Sequence, residues 1–120
     1  MKRHESSEDY LERILMLKEN HKTVRAIDIA NDMGFSKASV SIALKKLKDQ
    51  GLVSVDETSG NITLTLKGND IASHVYERHK ILVKMLIALG VKEETALKDA
   101  CRIEHDISEE TFQKIKAKFG

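Results

Sequence analysis

The chain has 120 residues, 41% of them hydrophobic, with one Cys, no Trp and no Pro, and 20 basic residues set against 19 acidic ones. That length bounds it to one domain or two small subdomains sharing a core, and a single cysteine excludes an internal disulfide and suits a reducing compartment. The polar start Met1-Lys2-Arg3-His4-Glu5-Ser6 lacks the apolar core of a signal peptide, and no apolar run approaches the roughly 20 residues of a membrane span, so a cytoplasmic location without a membrane partner is expected.

A net charge of +1 does not point to nucleic acid, but its distribution is uneven. Between Ser36 and Gln50, Lys37, Lys45, Lys46 and Lys48 face only Asp49, a local balance of +3. Between Glu93 and Glu110, seven acidic residues face Lys98 and Arg102, a local balance of −5. A basic middle and an acidic end point to two tasks in one chain.

Ser6 and Ser7 ahead of Glu8 and Asp9 make a favourable helix start. Tyr10, Leu11, Ile14, Leu15 and Leu17 then keep helical spacing to about Asn20. Asp9 and Glu12 share a face of that helix, which by itself reads as a solvated acidic flank. Thr23-Val24-Arg25 is short and extended. Ala26, Ile29, Ala30 and Met33 line a short helix that Gly34 can end. Ser36 is a good N-cap for the next helix, whose buried stripe is Val40, Leu44 and Leu47 and whose end is Gly51. Two helices joined by a Gly-bearing turn, the second rich in lysine, form a helix-turn-helix pattern. Leu52 to Val55 and Ile62 to Thr65 read as two strands around the turn-rich Asp56-Glu57-Thr58-Ser59-Gly60-Asn61. A hairpin directly after a helix-turn-helix is the wing of a winged helix.

Thr65 can cap a long helix from about Leu66 to Leu89, with Ile71, Val75, Leu82, Leu86 and Leu89 as its stripe and Gly90 as its end. Glu93 and Glu94 start another helix carrying Ala96, Leu97, Ala100, Ile103 and Ile107. Ser108 with Glu109 and Glu110 starts a last one ending near Phe119. The expected fold is therefore mainly α: an N-terminal winged helix-turn-helix with a β-hairpin wing over residues 1–66, then a helical part over 67–120.

Two sets of side chains stand out. On the second helix of the helix-turn-helix, Lys37, Ala38, Ser39 and Ile42 point outward, towards base edges if the helix enters a major groove. Lys45 and Lys46 suit phosphates. Arg25, Ser36 and, at the wing tip, Gly60 join this DNA-facing set, with Ser59 and Asn61 beside Gly60. The bland alternative is an ordinary amphipathic helix with a lysine face, and the wing argues against it. The second set is Cys101, Glu104 and His105. At i, i+3 and i+4 of a helix they converge, and they are three side-chain types that bind divalent transition metals. Separately, each reads as a packed thiol or a surface polar group. Three side chains of one helix rarely complete a metal shell, which leaves Asp9, Glu12 and His79 as available partners.

From about Glu8 to Ile115 the chain resembles the iron- and manganese-dependent repressors typified by the diphtheria toxin repressor and the manganese transport regulator. The resemblance rests on Glu8-Asp9-Tyr10-Leu11-Glu12, Ala26-Ile27-Asp28-Ile29-Ala30, Gly51-Leu52-Val53, Leu64-Thr65-Leu66-Lys67-Gly68, Arg78-His79 and Asp99-Ala100-Cys101-Arg102-Ile103-Glu104-His105. It implies a winged helix joined to a helical dimerisation and metal-binding domain, with metal ligands at Asp9, Glu12, His79, Cys101, Glu104 and His105. Asp9 with Glu12 is similar to the manganese branch. Cys101 is similar to the iron branch, where the manganese branch has a glutamate. Val83 and Leu97 stand where the iron branch has a Glu and a His of its ancillary site. The iron branch's SH3-like third domain is not expected.

The expected function is thus a homodimeric, Fe²⁺- or Mn²⁺-activated repressor that binds a roughly palindromic double-stranded DNA operator and controls metal homeostasis, with up to two ions per subunit. Co²⁺, Ni²⁺ or Zn²⁺ would also fit the donor types in vitro. The alternatives are a metal-independent or Cys101 redox-sensing winged-helix regulator and, from another class, a metal-binding or dimerisation module without DNA function. An enzyme is not expected, since His-Glu-x-x-His and a Gly-rich phosphate loop are both absent.

Overall fold

The computed structural model describes residues 7–120; the expectations placed on Ser6 and the residues before it lie outside them. Six helices and one hairpin follow in the order α1 (Ser7–Asn20), α2 (Ala26–Met33), α3 (Lys37–Asp49), β1 (Val53–Val55), β2 (Ile62–Leu64), α4 (Leu66–Ala88), α5 (Glu93–Ile103) and α6 (Glu109–Phe119). The chain divides into two compact units, up to Ser73 and from His74 onward, and the division falls within α4.

In the first unit, local chemistry sets each helix end. Gly34 takes the left-handed conformation (φ 73°) and its N–H returns to Ala30 O at 2.9 Å, closing α2 where a residue with a Cβ would be strained. Ser36 caps α3 by accepting from Ser39 N at 3.1 Å. Val40, Leu44 and Leu47 of α3 are buried with Tyr10, Leu11 and Ile14 of α1, Ile29 of α2, Leu52, Val53 and Ile62 in one apolar cluster. This is the helical stripe expected from the periodicity, and it packs the helix-turn-helix against α1.

The wing pairs β1 and β2 antiparallel, with Val53 opposite Leu64, Ser54 opposite Thr63 and Val55 opposite Ile62. Ile62 N donates to Val24 O at 2.8 Å, so the extended segment before α2 adds a main-chain bond along the open side of β2. Asn61 was expected at an exposed wing tip, and the structure corrects this. Its Oδ1 accepts from Val24 N at 3.0 Å and from Lys18 Nζ at 2.9 Å, so the side chain turns inward and ties the wing to the end of α1. A main-chain N–H next to a two-stranded ladder needs an acceptor, and the Asn61 amide supplies it where a third strand would have.

Thr65 joins the wing to α4. Its hydroxyl donates to Gly51 O at 2.7 Å and accepts from Gly68 N at 3.1 Å, while its own N–H donates to Leu52 O at 3.0 Å. Within the second unit, Val75, Ile81 and Leu82 of α4, Ala96 and Ala100 of α5 and Phe112 of α6 are buried. Ser108 caps α6 by accepting from Thr111 N at 3.1 Å. Leu89 departs from the expected buried stripe: α4 ends at Ala88 and Leu89 is 67% exposed, as are, less fully, Ile87 and Leu97. Helical spacing places Leu89 on the stripe, but the helix stops at Ala88 and Leu89 lies in the turn after it.

Candidate metal centre and nucleic-acid interface

The second unit brings four of the expected ligands together. His79 projects from the middle of α4, Cys101 from the last turn of α5, and Glu104 and His105 from the turn after it. α5 ends at Ile103, two residues before the end that a single helix carrying Cys101, Glu104 and His105 requires. Glu104 is its C-cap, still helical at φ −58° and ψ −23°, and His105 lies in the turn. Ile103 O accepts from both Asp106 N (2.9 Å) and Ile107 N (3.2 Å), and this double acceptance swings the chain towards the Ser108 cap. Helical geometry nevertheless persists through Glu104, so Cys101 and Glu104 keep to one side.

Glu104 is the centre of the cluster and is only 1% exposed. Its Oε1 accepts from His79 Nδ1 at 2.9 Å, its Oε2 lies 3.3 Å from His105 Nε2, and Cys101 Sγ lies 4.0 Å from His79 Nδ1. The Cys101 sulfur and then the Glu104 carboxylate, hydrogen-bonded to the imidazole, push the His79 pKa up to about 10 against the opposing effect of burial. The surroundings of His79 thus favour positive charge, and they gather a sulfur, a carboxylate and two imidazoles. These are the donor types that divalent first-row transition ions take, so the residues present fit such an ion.

Asp9 and Glu12 lie in the first unit, one turn apart on α1, Glu12 buried and Asp9 half-buried. Their placement i, i+3 on one face agrees with the helical reading.

The raised His79 pKa has a measurable consequence. A histidine whose folded pKa exceeds its ordinary value contributes stability that is complete below pH 6.5 and is lost as pH rises through about 10. Metal-free protein is therefore expected to lose stability in urea across that window, on the order of 2–4 kcal/mol. Over the same window a divalent ion must displace that proton, so apparent affinity should rise by about tenfold per pH unit. Competition against a chelating dye at several pH values reads the slope, and a flat profile would exclude proton release from His79.

The DNA-facing set lies in the first unit. Lys37, Ala38, Ser39, Ile42, Lys45 and Lys46 are all exposed along α3, opposite its buried stripe. Ile42 is 70% exposed, a large aliphatic side chain left in water at the centre of a helix face. Ser36 is taken up by the cap, and its hydroxyl also bonds Ser39 Oγ at 3.0 Å. Arg25 is exposed ahead of α2, with its N–H donating to Asp28 Oδ2 at 2.9 Å. Gly60 (φ 78°) sits at the wing turn, where a Cβ would lie 3.9 Å from the Arg25 stem, so these two meet at that turn. Ser41 is an exposed member of the same α3 face that the sequence reading passed over; its spacing of i+3 from Ala38 was the available signal.

A three-helix unit with a paired wing and a lysine-bearing, outward α3 defines a winged-helix protein, and the second unit adds an N, O, S donor cluster around the buried Glu104 and His79. Residues 3–60 match the family model described as iron dependent repressor, N-terminal DNA binding domain, and residues 65–120 match that of the iron dependent repressor metal binding and dimerisation domain. The chain belongs to the iron dependent repressor family. An uncharacterised HTH-type transcriptional regulator of Methanocaldococcus jannaschii is 37% identical over 114 residues, covering 93% of this chain and 90% of that one. The transcriptional regulator MntR of Escherichia coli is 36% identical over 114 residues, covering 95% and 73% respectively. Among solved structures, a manganese-dependent transcriptional repressor in complex with manganese superposes with a TM-score of 0.87 at 31% identity. That match covers 96% of this chain and 53% of the other, so this chain spans about half the length of that solved protein.

Proposed function

We propose that this chain is a homodimeric transcriptional repressor whose affinity for operator DNA is raised by a divalent metal, Fe²⁺ or Mn²⁺. Residues 1–66 serve as the DNA-binding part and 67–120 as the dimerisation and metal-binding part, working in the cytoplasm. One observation carries the reading: a fully buried carboxylate, Glu104, joins His79 and His105 beside the Cys101 sulfur, in a chain that also holds a winged helix. No helix among the described residues is long and apolar enough to cross a membrane.

The ligands would be His79, Cys101, Glu104 and His105, with Asp9 and Glu12 completing the set by the family resemblance. When bound, a divalent ion would supply positive charge to offset the carboxylates and the thiolate gathered with the two imidazoles around the buried Glu104. The carboxylates suit Mn²⁺ and Fe²⁺, and the thiolate shifts preference towards Fe²⁺, Co²⁺ and Zn²⁺. If Asp9 and Glu12 join the set, α1 is held in place, and α1 is already tied to the wing through Lys18 and Asn61 and to α2 through the Arg13–Asp32 ion pair at 3.0 Å. α1, α3 and the wing then form one reading head. In a two-fold dimer, paired heads would fit a palindromic operator, and the exposed Ile87, Leu89 and Leu97 are apolar surface that a second copy would bury.

The test is a DNA-binding titration with a fragment of the protein's own promoter region. Mn²⁺ or Fe²⁺ should raise affinity at least tenfold, and the DNA should tighten metal binding by the same factor. Binding that no divalent ion changes would exclude metal control and leave a metal-independent regulator.

A further inference from the structure

Arg78 immediately precedes His79 on α4 and does not point into the donor cluster. Its Nη1 donates to two main-chain carbonyls, Glu104 O at 3.2 Å and Ile107 O at 3.1 Å. Its Nη2 donates to Glu109 Oε1 at 2.7 Å, and the guanidinium carbon lies 5.2 Å from the centre of the Phe112 ring. The side chain is 20% exposed. The carbonyls at a helix end lack partners within the helix and carry its partial negative charge. A planar, permanently charged fork is the side chain that can satisfy such a carbonyl, Glu104 O at the α5 cap, together with Ile107 O of the following turn while lying over a ring. Residues 104–107 are the turn between α5 and α6, and Glu104 and His105 are two of its members.

We propose that Arg78 is the positioning residue of the metal centre: by holding Glu104 O, Ile107 O and Glu109 it fixes the turn that presents Glu104 and His105 beside His79. This rests on the metal reading above. Cys101 lies within α5 proper and does not depend on the turn. The two kinds of ligand are therefore separable: loosening Arg78 frees the turn after Glu104, so that Glu104 and His105 shift, and leaves Cys101 and His79 in place. Lysine cannot substitute, because a single ammonium on a flexible stem does not span two carbonyls and a carboxylate. At Glu109, Gln113 Nε2 (2.6 Å) shares the carboxylate with Arg78, so this end of the staple is itself braced along α6.

The experiment compares full-length wild type, Arg78→Lys and Glu109→Gln. Mn²⁺ affinity is measured by competition with a fluorescent chelator, and the spectrum of the Co²⁺-loaded protein is recorded alongside. Arg78→Lys should weaken Mn²⁺ binding by about 10–100-fold, the range for residues that orient metal ligands. Its sulfur-to-cobalt charge-transfer band should persist, because Cys101 stays, while the ligand-field bands change as Glu104 and His105 shift. Glu109→Gln, on a side chain that is 63% exposed, should weaken binding severalfold in the same direction. Wild-type affinity in both variants, or charge-transfer and ligand-field bands that vanish together, would overturn the proposal. If wild type itself takes up no Mn²⁺ or Co²⁺, the metal reading fails rather than the role of Arg78 within it.

Discussion

Replacing Glu104 by Gln is expected to weaken divalent metal binding by at least about 100-fold, beyond what loss of an orienting residue costs, and to remove metal-dependent DNA binding with it. Glu104 is the carboxylate that both imidazoles approach, at 2.9 Å for His79 and 3.3 Å for His105, and it is buried. Glutamine keeps the shape and an acceptor oxygen but removes the charge. In the metal-free protein the same substitution takes away one of the two groups that raise the His79 pKa towards 10. The loss of stability between pH 6.5 and about 10 should therefore shrink in the variant. Alanine would be a poorer probe, because truncating one partner of a buried charged pair can cost about 3–5 kcal/mol and blur metal loss with unfolding. Metal affinity by calorimetry and DNA affinity by fluorescence anisotropy check the expectation. A Gln variant that still responds to Mn²⁺ at wild-type concentrations would remove Glu104 from the ligand set.

The second large effect concerns Gly68. A Cβ built there would overlap the carbonyl oxygen of Leu52 and lie 2.9 Å from its carbonyl carbon. Neither atom can give way, because Leu52 O accepts from Thr65 N and Gly51 O accepts from the Thr65 hydroxyl. The first turn of α4 is pressed against the main chain that leaves α3, and only glycine permits that approach. Gly68→Ala should cost about 3 kcal/mol or more, at the upper end of overpacking effects, and lower Tm by roughly 10 °C or more. Lys67→Ala, one residue away on the exposed side, should stay within about 0.5 kcal/mol of wild type. Urea unfolding of the chelated protein measures both. A Gly68→Ala protein within about 1 kcal/mol of wild type would mean that α4 can lift from Leu52 without breaking the Thr65 bonds, against the overpacking expected here.

Glycine at position 68 also shows how far the sequence alone could be read. Gly68 closes one of the motifs on which the family resemblance rests, yet composition gives no reason for it, since a glycine near the start of a helix is unfavourable by propensity. The reason is a contact 16 residues away in the chain. Gly34, by contrast, was legible at once, because a left-handed helix end is a local requirement that the stretch Met33-Gly34-Phe35 announces. Ser36, Thr65 and Ser108 were legible for the same reason: each accepts from an N–H three residues on, within reach of its own turn. The buried stripe of α3 followed from periodicity, and it alone fixed which face carries Lys37, Ala38, Ile42 and Lys45.

The sequence by itself therefore determined the elements, their order, the outward face of α3 and the donor types around Cys101. Those are set by short-range geometry: helical spacing, caps and turn residues. Tertiary structure decided what depends on partners distant in sequence. It placed His79 against Glu104 across 25 residues and gave Asn61 to Val24 rather than to the wing surface. It also ended α5 at Ile103, so that Glu104 and His105 ride on a turn and not on a helix, and it spent Arg78 on holding that turn. A side chain's spacing tells which neighbours it can reach within its own helix. Whether a buried carboxylate meets an imidazole, a guanidinium or water depends on which other element packs there, and no local pattern encodes that.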